Sequence, residues 1–218
     1  MNIIIFGPPG AGKGTQSDKL LKKHTLFKLS TGDLLRNEIS KESSLGKKIK
    51  EIVNSGKLVS DDIINNLIEK IVSDSKYKGN IIFDGYPRNL EQAKNLSVLL
   101  EKYKQKIDLV ISLKVTLDSI VKRITGRLVC SKCGNTFNKF FNPPPLNSAC
   151  CEGGILKQRS DDNVETAKKR YQTYEDSTKP ILKYYKKSGL LKEVDGETKI
   201  EEIFNKINVF VNWNEGWL

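Results

Sequence analysis

The chain has no long hydrophobic run. No apolar stretch approaches the roughly 20 residues that a transmembrane helix needs, so a membrane-spanning protein is not expected. The apolar start, residues 2–6, has no positive leader and is followed at once by Gly7-Pro8-Pro9-Gly10. It therefore predicts a buried first strand and not a signal peptide, and we expect a cytoplasmic protein without a membrane partner.

Histidine occurs once, and cysteine occurs in only one short region. The single histidine, His24, follows two lysines at the predicted end of a helix, where a cation is favoured. We expect a structural role for it. The four cysteines all lie between positions 130 and 151. Clustered thiols in a cytosolic chain indicate a metal site more than disulfide bonds.

The composition is typical of a soluble globular domain with a strong positive charge. Hydrophobic residues make up 38% and charged residues 29%, and the formal net charge is +11. A positive chain can bind nucleic acid, but lysines on solvated helix faces or a site for polyanionic nucleotides give the same balance. The charge alone does not separate these classes.

Short apolar runs alternate with amphipathic helical stretches along most of the chain. This alternation predicts an α/β fold, with a parallel sheet covered by helices on both faces and ligands at the carboxyl ends of the strands. The predicted strands are Asn2–Phe6, Leu26–Leu29, Ile81–Asp84, Leu109–Leu113 and Leu190–Val194. The predicted helices include Gly14–Lys23, Asp61–Ser73, Leu90–Tyr103 and Leu117–Ile124.

Two stretches interrupt this pattern and predict insertions into the core. Residues 30–59 are helical without a strand signal, and residues 126–162 carry all four cysteines and three consecutive prolines. A structureless loop of that length is unusual in a compact domain, so the second insertion is expected to have a small fold of its own. The core then comprises residues 1–29, 60–125 and 163–218. Within its last part, Pro180 should end or kink a helix.

A glycine-rich segment, residues 7–15 (GPPGAGKGT), joins the first predicted strand to the first predicted helix. Glycines let the backbone curl and present its amides to phosphates, and the helix N-terminus adds a favourable dipole. Lys13 is then expected against the β- and γ-phosphates. The usual pattern has Ser or Thr directly after the lysine, whereas Gly14 intervenes here and Thr15 follows. A glycine-rich turn without a ligand is the alternative.

Three further segments carry a longer pattern: residues 29–36 (LSTGDLLR), 83–88 (FDGYPR) and 158–162 (QRSDD). With residues 10–15 they resemble the adenylate kinases of the bacterial, long-lid kind, up to about Ile207. The resemblance implies a five-stranded parallel P-loop sheet, an AMP-binding insertion at residues 30–59 and a lid insertion at residues 126–162. It also implies that a monomer reversibly transfers the γ-phosphate of MgATP to AMP, giving two ADP, while the lid closes over the site.

The resemblance assigns a role to each matching residue. ATP would contact Gly10, Ala11, Gly12, Lys13, Gly14, Thr15, Arg127, Thr136, Phe137 and Thr198, with Arg127 on or near the adenine. AMP would contact Thr31, Arg36, Lys57, Leu58, Val59, Gly85, Tyr86, Pro87, Arg88, Gln92, Arg159 and Arg170. The catalytic set would be Lys13, Asp84, Arg88, Arg123, Arg159 and Arg170. In that set Arg123, Arg159 and Arg170 would clamp the transferring phosphoryl group, and Asp84 would orient waters on Mg²⁺.

Phosphoryl transfer through a loose transition state explains why such a set suffices. The reaction needs positioning, exclusion of water and fixed positive charge, and it needs no protein nucleophile. Arginine suits phosphate oxygens because its planar fork offers paired donors. Each residue also has a structural alternative. Arg123 and Arg127, four residues apart, could form a solvated helix face, and Asp84 could cap the next helix.

The lid insertion contains a predicted zinc site. Cys130 and Cys133 have the spacing of a knuckle around a tetrahedral ion, and a glycine follows them. The second half is irregular, because Cys150 and Cys151 are adjacent where related lids place two residues between their ligands. The predicted ligands are Cys130, Cys133, Cys150 and Cys151, with Glu152 as the alternative fourth ligand. Zinc would be structural, because so small an insertion lacks enough core to fold alone.

Two rival functions stay open at this point. One is another monophosphate kinase, acting on UMP, CMP or GMP or using GTP as donor. The length of the lid insertion argues against the UMP/CMP type, and Thr31 and Gln92 favour adenine by resemblance. The other is a basic zinc-ribbon protein that binds nucleic acid, which leaves the P-loop and the arginines unexplained. The aromatic pair Phe140-Phe141 is expected to be a packing feature and not a base-stacking platform.

Overall fold

The computed structural model describes residues 1–55, 59–144 and 150–216. Its strands, in chain order, are β1 (Ile3–Phe6), β2 (Phe27–Ser30), β3 (Ile81–Asp84), β4 (Leu109–Lys114), β5 (Arg127–Cys130), β6 (Thr136–Asn138), β7 (Leu156–Lys157) and β8 (Leu191–Asp195). Five of them form one parallel sheet in the order β2-β3-β1-β4-β8. These are the five predicted strands, so the predicted α/β class is confirmed.

Helices lie between the strands as the alternating pattern predicts. In chain order they are α1 (Lys13–Lys23), α2 (Thr31–Ser40), α3 (Ser44–Asn54), α4 (Asp61–Val72), α5 (Leu90–Lys102), α6 (Leu117–Thr125), α7 (Val164–Thr173), α8 (Ile181–Lys187) and α9 (Ile200–Glu215). A π-helical turn, Tyr174–Thr178, separates α7 from α8, and Pro180 lies directly before α8. The interruption predicted at Pro180 is therefore present.

The first strand is apolar throughout because it is covered on both faces. Ile4 and Phe6 belong to one buried cluster, and Ile3 and Ile5 belong to another on the opposite face of the sheet. Strand β1 lies between β3 and β4, and Ile5 is level with Asp84. This register brings the end of β3 beside the glycine-rich segment that follows β1.

The first insertion is a pair of helices, α2 and α3, as predicted. Ser30 and Ser43 cap them by accepting hydrogen bonds from the backbone N–H groups of Asp33 and Gly46. A Cβ atom at Gly46 would lie 2.6 Å from the carbonyl oxygen of Glu38, so the close approach of the two helices requires glycine there. Lys57 and Leu58, both predicted to bind AMP, lie outside the described residues.

The lid insertion has its own small antiparallel sheet in the order β6-β5-β7. Arg127 pairs with Asn138 across one ladder, and Cys130 pairs with Leu156 across the other. These three strands are not part of the five-stranded sheet. The second ladder brings the thiol of Cys130 close to the chain that carries the later cysteines.

The residues after Ile207, to which the sequence assigns no role, belong to the last helix, α9. Beyond Ile207 the chain continues α9, and the buried side chains of Ile207 and Val211 pack with Leu20 of α1 and with β1. Trp213 is exposed. None of the helices in the described ranges is long and apolar enough to cross a membrane.

Candidate active site

The glycine-rich segment wraps around the side chain of Lys13. The Lys13 ammonium group donates hydrogen bonds to the carbonyl oxygens of Gly7 and Pro8, at 2.8 and 3.0 Å. Gly12 precedes α1 with φ of 97°, a left-handed conformation that glycine adopts without strain. The start of α1 therefore lies beside Lys13, in the arrangement that phosphate sites at helix N-termini use.

Lys13 and Asp84 are both half-buried at this edge of the sheet. Burial lowers the pKa of Lys13 to about 8, and the nearby carboxylate of Asp84 opposes that shift. Burial raises the pKa of Asp84, and Lys13 opposes that shift in turn. A Cβ atom at Gly14 would lie 3.6 Å from Oδ2 of Asp84, so the carboxylate faces the start of α1.

Several arginines converge on the same space from different elements. They are Arg36 from α2, Arg88 after β3, Arg127 from β5, Arg159 from the lid insertion and Arg170 from α7. Burial, followed by the charge of Arg170, lowers the pKa of Arg88 to about 10. Burial, followed by the charges of Arg127 and Arg36, lowers the pKa of Arg159 to about 10. Repulsion between neighbouring guanidinium groups therefore contributes to these lowered pKa values. A bound anion would offset that repulsion.

Three of these arginines are held by aspartates. Arg36 contacts Asp33 at 2.5 Å, and Arg170 contacts Asp161 at 2.7 Å. Arg127 makes a two-point ion pair with Asp162, in which Nε donates to Oδ2 at 2.7 Å. The Asp161-Asp162 pair at the end of the lid insertion therefore positions two arginines.

Two cavities open on either side of this cluster. The larger, about 690 Å³, is bounded by the glycine-rich segment, the lid insertion and the residues between β8 and α9. The smaller, about 140 Å³, is bounded by α2, the 85–88 turn and the segment around Thr173–Thr178. Both cavities are lined by Lys13, Arg36, Arg88 and Arg170. The positive cluster therefore lies where the two cavities meet.

The turn that follows β3 shapes the wall of the smaller cavity. The carbonyl oxygen of Gly85 accepts hydrogen bonds from Thr31 Oγ1 at 2.9 Å and from Arg88 Nε at 2.8 Å. The Arg88 peptide is fixed at both ends, because Gln92 Oε1 accepts from its N–H at 2.7 Å and Thr178 Oγ1 donates to its carbonyl at 2.8 Å. The Arg88 guanidinium is thereby anchored at the junction of the cavities.

Arg123 lies apart from the other arginines. Its guanidinium donates to the carbonyl oxygens of Gly196 at 2.7 Å and Ala11 at 3.4 Å, and it lies 5.5 Å from the ring centroid of Phe141. Burial lowers the pKa of Arg123, and the charges that oppose this shift come from Glu197 and Asp195. Arg123 therefore connects the glycine-rich segment to the far end of the larger cavity.

The four cysteines of the lid insertion form a single cluster. All four Sγ atoms lie within 4.8 Å of one another. Cys133 Sγ is 3.2 Å from Cys150 Sγ, and Cys130 Sγ is 3.6 Å from Cys151 Sγ. Four thiolates around a zinc ion at about 2.3 Å give sulfur–sulfur separations of this order. The adjacent Cys150 and Cys151 thus both reach the cluster.

Comparisons with known proteins agree with this architecture. The family model described as adenylate kinase matches residues 5–190. The chain belongs to the adenylate kinase family. A relative from Pelagibacter ubique named adenylate kinase is 50% identical over 95% of this chain and 98% of its own. Adenylate kinases from Staphylococcus epidermidis and Archaeoglobus fulgidus are each 40% identical, over 95% and 97% of this chain and 97% and 98% of their own.

Family membership identifies the enzyme class and the reaction. The chain is a nucleoside monophosphate kinase that transfers the γ-phosphate of ATP to AMP and forms two ADP. Most of the residues that resemblance to this family singles out line one of the two cavities. The larger is lined by Gly10, Ala11, Gly12, Gly14, Thr15, Asp84, Arg123, Arg127, Thr136, Phe137, Arg159 and Thr198, and the smaller by Val59 and Pro87. Gly85, like the shared cations, lines both.

A few predicted contacts lie behind the cavity walls. Tyr86 is buried, and its hydroxyl contacts Asn65 and the carbonyl of Gln92. Gln92 is 2% exposed. Its Nε2 donates to Asp61 at 2.5 Å, and its Oε1 accepts from the backbone N–H of Arg88. Thr31, also buried, contributes through its hydrogen bond to Gly85.

Some residues that line the larger cavity have no predicted role at the site. Phe141, for which only a packing role is expected from the sequence, packs edge-on against Phe140, is 49% exposed and lines the larger cavity beside Arg123. Gln16 and Asp33 also line that cavity. The available signal for Asp33 is its position three residues before Arg36 on one helix face. Phe141 has no comparable signal, because its placement depends on how the lid insertion folds over α6.

Proposed function

We propose that the larger cavity binds the donor ATP and the smaller cavity binds the acceptor AMP. The observation that carries this assignment is the shared lining of the two cavities by Lys13, Arg36, Arg88 and Arg170. Two bound nucleotides would direct their phosphates toward the same positive cluster and their bases away from it. Gly12, Gly14 and Thr15, around the start of α1, line only the larger cavity, which favours a triphosphate there.

Catalysis then rests on position and charge. The acceptor is an AMP phosphate oxygen that is largely deprotonated near neutral pH, so no general base is required. Lys13, Arg88, Arg159 and Arg170 would neutralise the charge that spreads over the transferring oxygens. Closure of the lid insertion and of residues 30–59 would exclude water, which would otherwise compete as acceptor.

The contacts favour an exchange of the roles predicted for Arg123 and Arg127. Arg127 is near enough to lower the pKa values of Lys13, Arg159 and Arg170 through its charge, so it belongs with the phosphate cluster. Arg123 lies beside the exposed ring of Phe141, 5.5 Å from its centroid. We therefore assign Arg127 to the donor phosphates and Arg123, with Phe141, to the donor base.

Asp84 fits a role toward the Mg²⁺ that accompanies ATP. It is a half-buried carboxylate at the end of β3 that faces the start of α1, and its pKa is raised because neighbouring positive charges do not fully offset its desolvation. A divalent cation nearby would supply that compensation and would neutralise charge on the bridging phosphate oxygens. Gly14 takes the place of the usual hydroxyl residue, and Thr15 offers a hydroxyl one residue later.

The cysteine cluster fits a structural Zn²⁺ held by Cys130, Cys133, Cys150 and Cys151. Four sulfur donors within 4.8 Å of one another, two pairs of them at 3.2 and 3.6 Å, are compatible with a closed tetrahedral site. The cluster supports Cys151 over Glu152 as the fourth ligand. Zinc would hold the two ends of the small sheet together, and the ion would take no part in phosphoryl transfer.

The partners of the enzyme are ATP, AMP and ADP. We propose that it acts as a cytoplasmic monomer without nucleic acid or membrane partners. The net charge of +11 is compatible with polyanionic substrates alone.

The decisive experiment measures ADP formation from MgATP with AMP, UMP, CMP and GMP offered in turn. We expect transfer to AMP, with losses of several orders of magnitude in kcat for Lys13→Ala and Arg88→Ala. Arg127→Ala should lower kcat, whereas Arg123→Ala should mainly raise the KM for ATP. Equal activity with UMP or CMP would overturn the acceptor assignment, and unchanged activity of Lys13→Ala would overturn the donor assignment.

A further inference from the structure

Gln158, the first residue of the 158–162 segment, binds the backbone at both ends of the lid insertion. It directly follows β7, and its Nε2 donates to the carbonyl oxygens of Thr125 at 3.1 Å and of Asp162 at 2.7 Å. Thr125 is the last residue of α6, just before the lid insertion, and Asp162 lies where the insertion ends. One amide group therefore joins the entry and the exit of the lid insertion.

The orientation of the Gln158 amide is fixed by these two partners. Both are carbonyl oxygens, which can only accept hydrogen bonds, so the nitrogen and not the oxygen of the amide must face them. The amide nitrogen carries two hydrogens, and each has an acceptor here. The side chain therefore holds its own backbone at a defined place relative to Thr125 and Asp162.

Gln158 encloses the turn that begins at Arg159. The backbone N–H of Asp162 donates to the Arg159 carbonyl oxygen at 3.1 Å, which closes a four-residue turn. The far end of this turn is fixed because the buried Asp162 carboxylate binds Arg127. The hydrogen bond from Gln158 to the Asp162 carbonyl fixes the near end to the far end. The backbone of Arg159 is thus held between two anchored neighbours.

The side chain of Arg159 has no comparable anchor. Arg127 and Arg170 of the same cluster are each held by a carboxylate. Within residues 1–55, 59–144 and 150–216, the Arg159 guanidinium makes no ion pair and donates no hydrogen bond. Arg159 nevertheless lines the larger cavity, where the donor phosphates are proposed to lie. Its placement there depends on its backbone, and therefore on Gln158.

We propose that Gln158 is a positioning residue for phosphoryl transfer, and that it acts by holding the backbone of Arg159 so that the guanidinium meets the transferring phosphoryl group. The inference rests on the proposed role of Arg159. A cation stabilises a transition state most when it is already in place, because reorganisation during the reaction costs part of the gain. Without the amide bridge, the turn that begins at Arg159 would shift relative to α6, and the guanidinium would be less often in place.

The test measures kcat and both KM values of Gln158→Met in the reaction of MgATP with AMP. Methionine keeps the unbranched shape of the side chain and removes both donors. We expect kcat to fall about tenfold while the KM values for ATP and AMP stay within about twofold, because Arg159 is needed most in the transition state. Gln158 is exposed, so the variant should fold. Gln158→Ala is the second variant if it does not.

A double-mutant cycle separates positioning from a merely structural role. In an Arg159→Ala background, Gln158→Met should change kcat by less than about twofold, because the residue through which it acts is absent. The loss in the free energy of unfolding caused by Gln158→Met, measured by denaturant titration, should be the same in both backgrounds. Activity and stability would then respond differently to the same substitution.

Gln172→Met is the matched control. Gln172 is also exposed, and its Nε2 donates to Asp176 at 2.8 Å. It lies on α7, outside the 158–162 segment, and its amide binds no backbone of the lid insertion. This variant should keep the kcat of the wild type.

Three outcomes would overturn the inference. They are an unchanged kcat in Gln158→Met, a fall in kcat that persists in the Arg159→Ala background, and an equal fall in Gln172→Met. A full kcat in Arg159→Ala alone, or an absence of any transfer from MgATP to AMP by the wild type, would instead overturn the proposed function. The two failures are therefore distinguishable.

Discussion

Arg127 and Asp162 form an ion pair across the two ends of the lid insertion, and the side chain of Asp162 is completely buried in that contact. Arg127 begins β5, and its guanidinium donates from both Nε and Nη2 to the carboxylate. The Arg127 side chain itself is 16% exposed, so one side of it faces the larger cavity. The same arginine is thus anchored to the end of the lid insertion and available to an anion.

Removing the carboxylate should destabilise the protein strongly. Asp162→Ala leaves the Arg127 charge poorly solvated and without its partner, and breaking a buried pair in this way typically costs about 3–5 kcal/mol. We expect a loss near the lower end, about 3 kcal/mol in the free energy of unfolding, measured by denaturant titration. Glu175→Ala removes an exposed pair with Lys179 and should cost less than about 1 kcal/mol. Equal losses in the two variants would contradict the role given to Asp162.

Lys13 should make donor binding dependent on pH. Its pKa is about 8 in the fold and 10.5 in an unperturbed lysine, because burial disfavours the charged form. The ammonium is therefore progressively lost above about pH 8 in the free enzyme, and kcat/KM for MgATP should fall there. A bound triphosphate restores the charge, so kcat should hold to higher pH. A fall of the same size and midpoint in Lys13→Ala would refute this explanation.

The lowered pKa of Lys13 also determines how the contribution of this residue to the free energy of unfolding changes with pH. Between pH 8 and 10.5 the unfolded chain binds more protons at Lys13 than the folded chain does, so the contribution of this residue to the free energy of unfolding rises with pH across that window. Below about pH 8 Lys13 is charged in the folded chain as well, so desolvation of its ammonium group lowers the free energy of unfolding by its full amount. Ligand-free protein titrated with denaturant at several pH values, beside Lys13→Ala, would reveal the difference.

The sequence predicts the core of this enzyme well because its signals are local. The apolar run of β1, the glycines after it and the alternation of strands with helices each depend on neighbours in the chain, and the structure has all five strands. The grouping of Lys13 with Arg88 and Arg170 is also expected from sequence, although there it depends on resemblance to a family and not on spacing.

Other features depend on contacts that no local pattern records. Arg123 and Arg127 are four residues apart and look equivalent in the sequence, but one lies on α6 and the other begins β5, so they reach different ends of the cavity. The adjacent cysteines are a second case. Whether both can face one cluster depends on the turn between Cys150 and Gly154, and only the folded chain specifies it.

Gly154 should be essential for the cysteine cluster. A Cβ atom there would lie 2.5 Å from Cys130 Sγ and 2.8 Å from Cys151 Sγ, so Gly154→Ala must displace a thiol. We expect loss of most bound zinc by elemental analysis and a lower unfolding temperature of the lid insertion. Gly216→Ala is the matched control, because its added methyl would meet Asn212 at an ordinary 3.6 Å. Full zinc content in Gly154→Ala would show that this glycine does not shape the site.

The identity of the fourth ligand predicts two different responses. Cys151→Ser replaces a thiolate that belongs to the cluster and should weaken zinc binding by about 10-fold or more, measured by competition with a chromogenic chelator. Glu152→Gln changes a side chain outside the cluster and should leave the affinity unchanged. The reverse pattern would identify Glu152 as the ligand.

Thr178 should act on the acceptor site through the backbone of Arg88. The hydroxyl of this buried residue donates to the Arg88 carbonyl at 2.8 Å, and it comes from the π-helical turn between α7 and α8. Thr178→Val keeps the shape but leaves that carbonyl unpaired, at a cost of about 1–3 kcal/mol in the free energy of unfolding. Because the Arg88 peptide then loses one of its two anchors, the KM for AMP should rise several-fold while the KM for ATP changes little. Thr178→Ser retains the hydroxyl and should restore the KM for AMP. If serine and valine behave alike, the hydrogen bond does not position Arg88, and packing of the methyl group against the turn is the important contact.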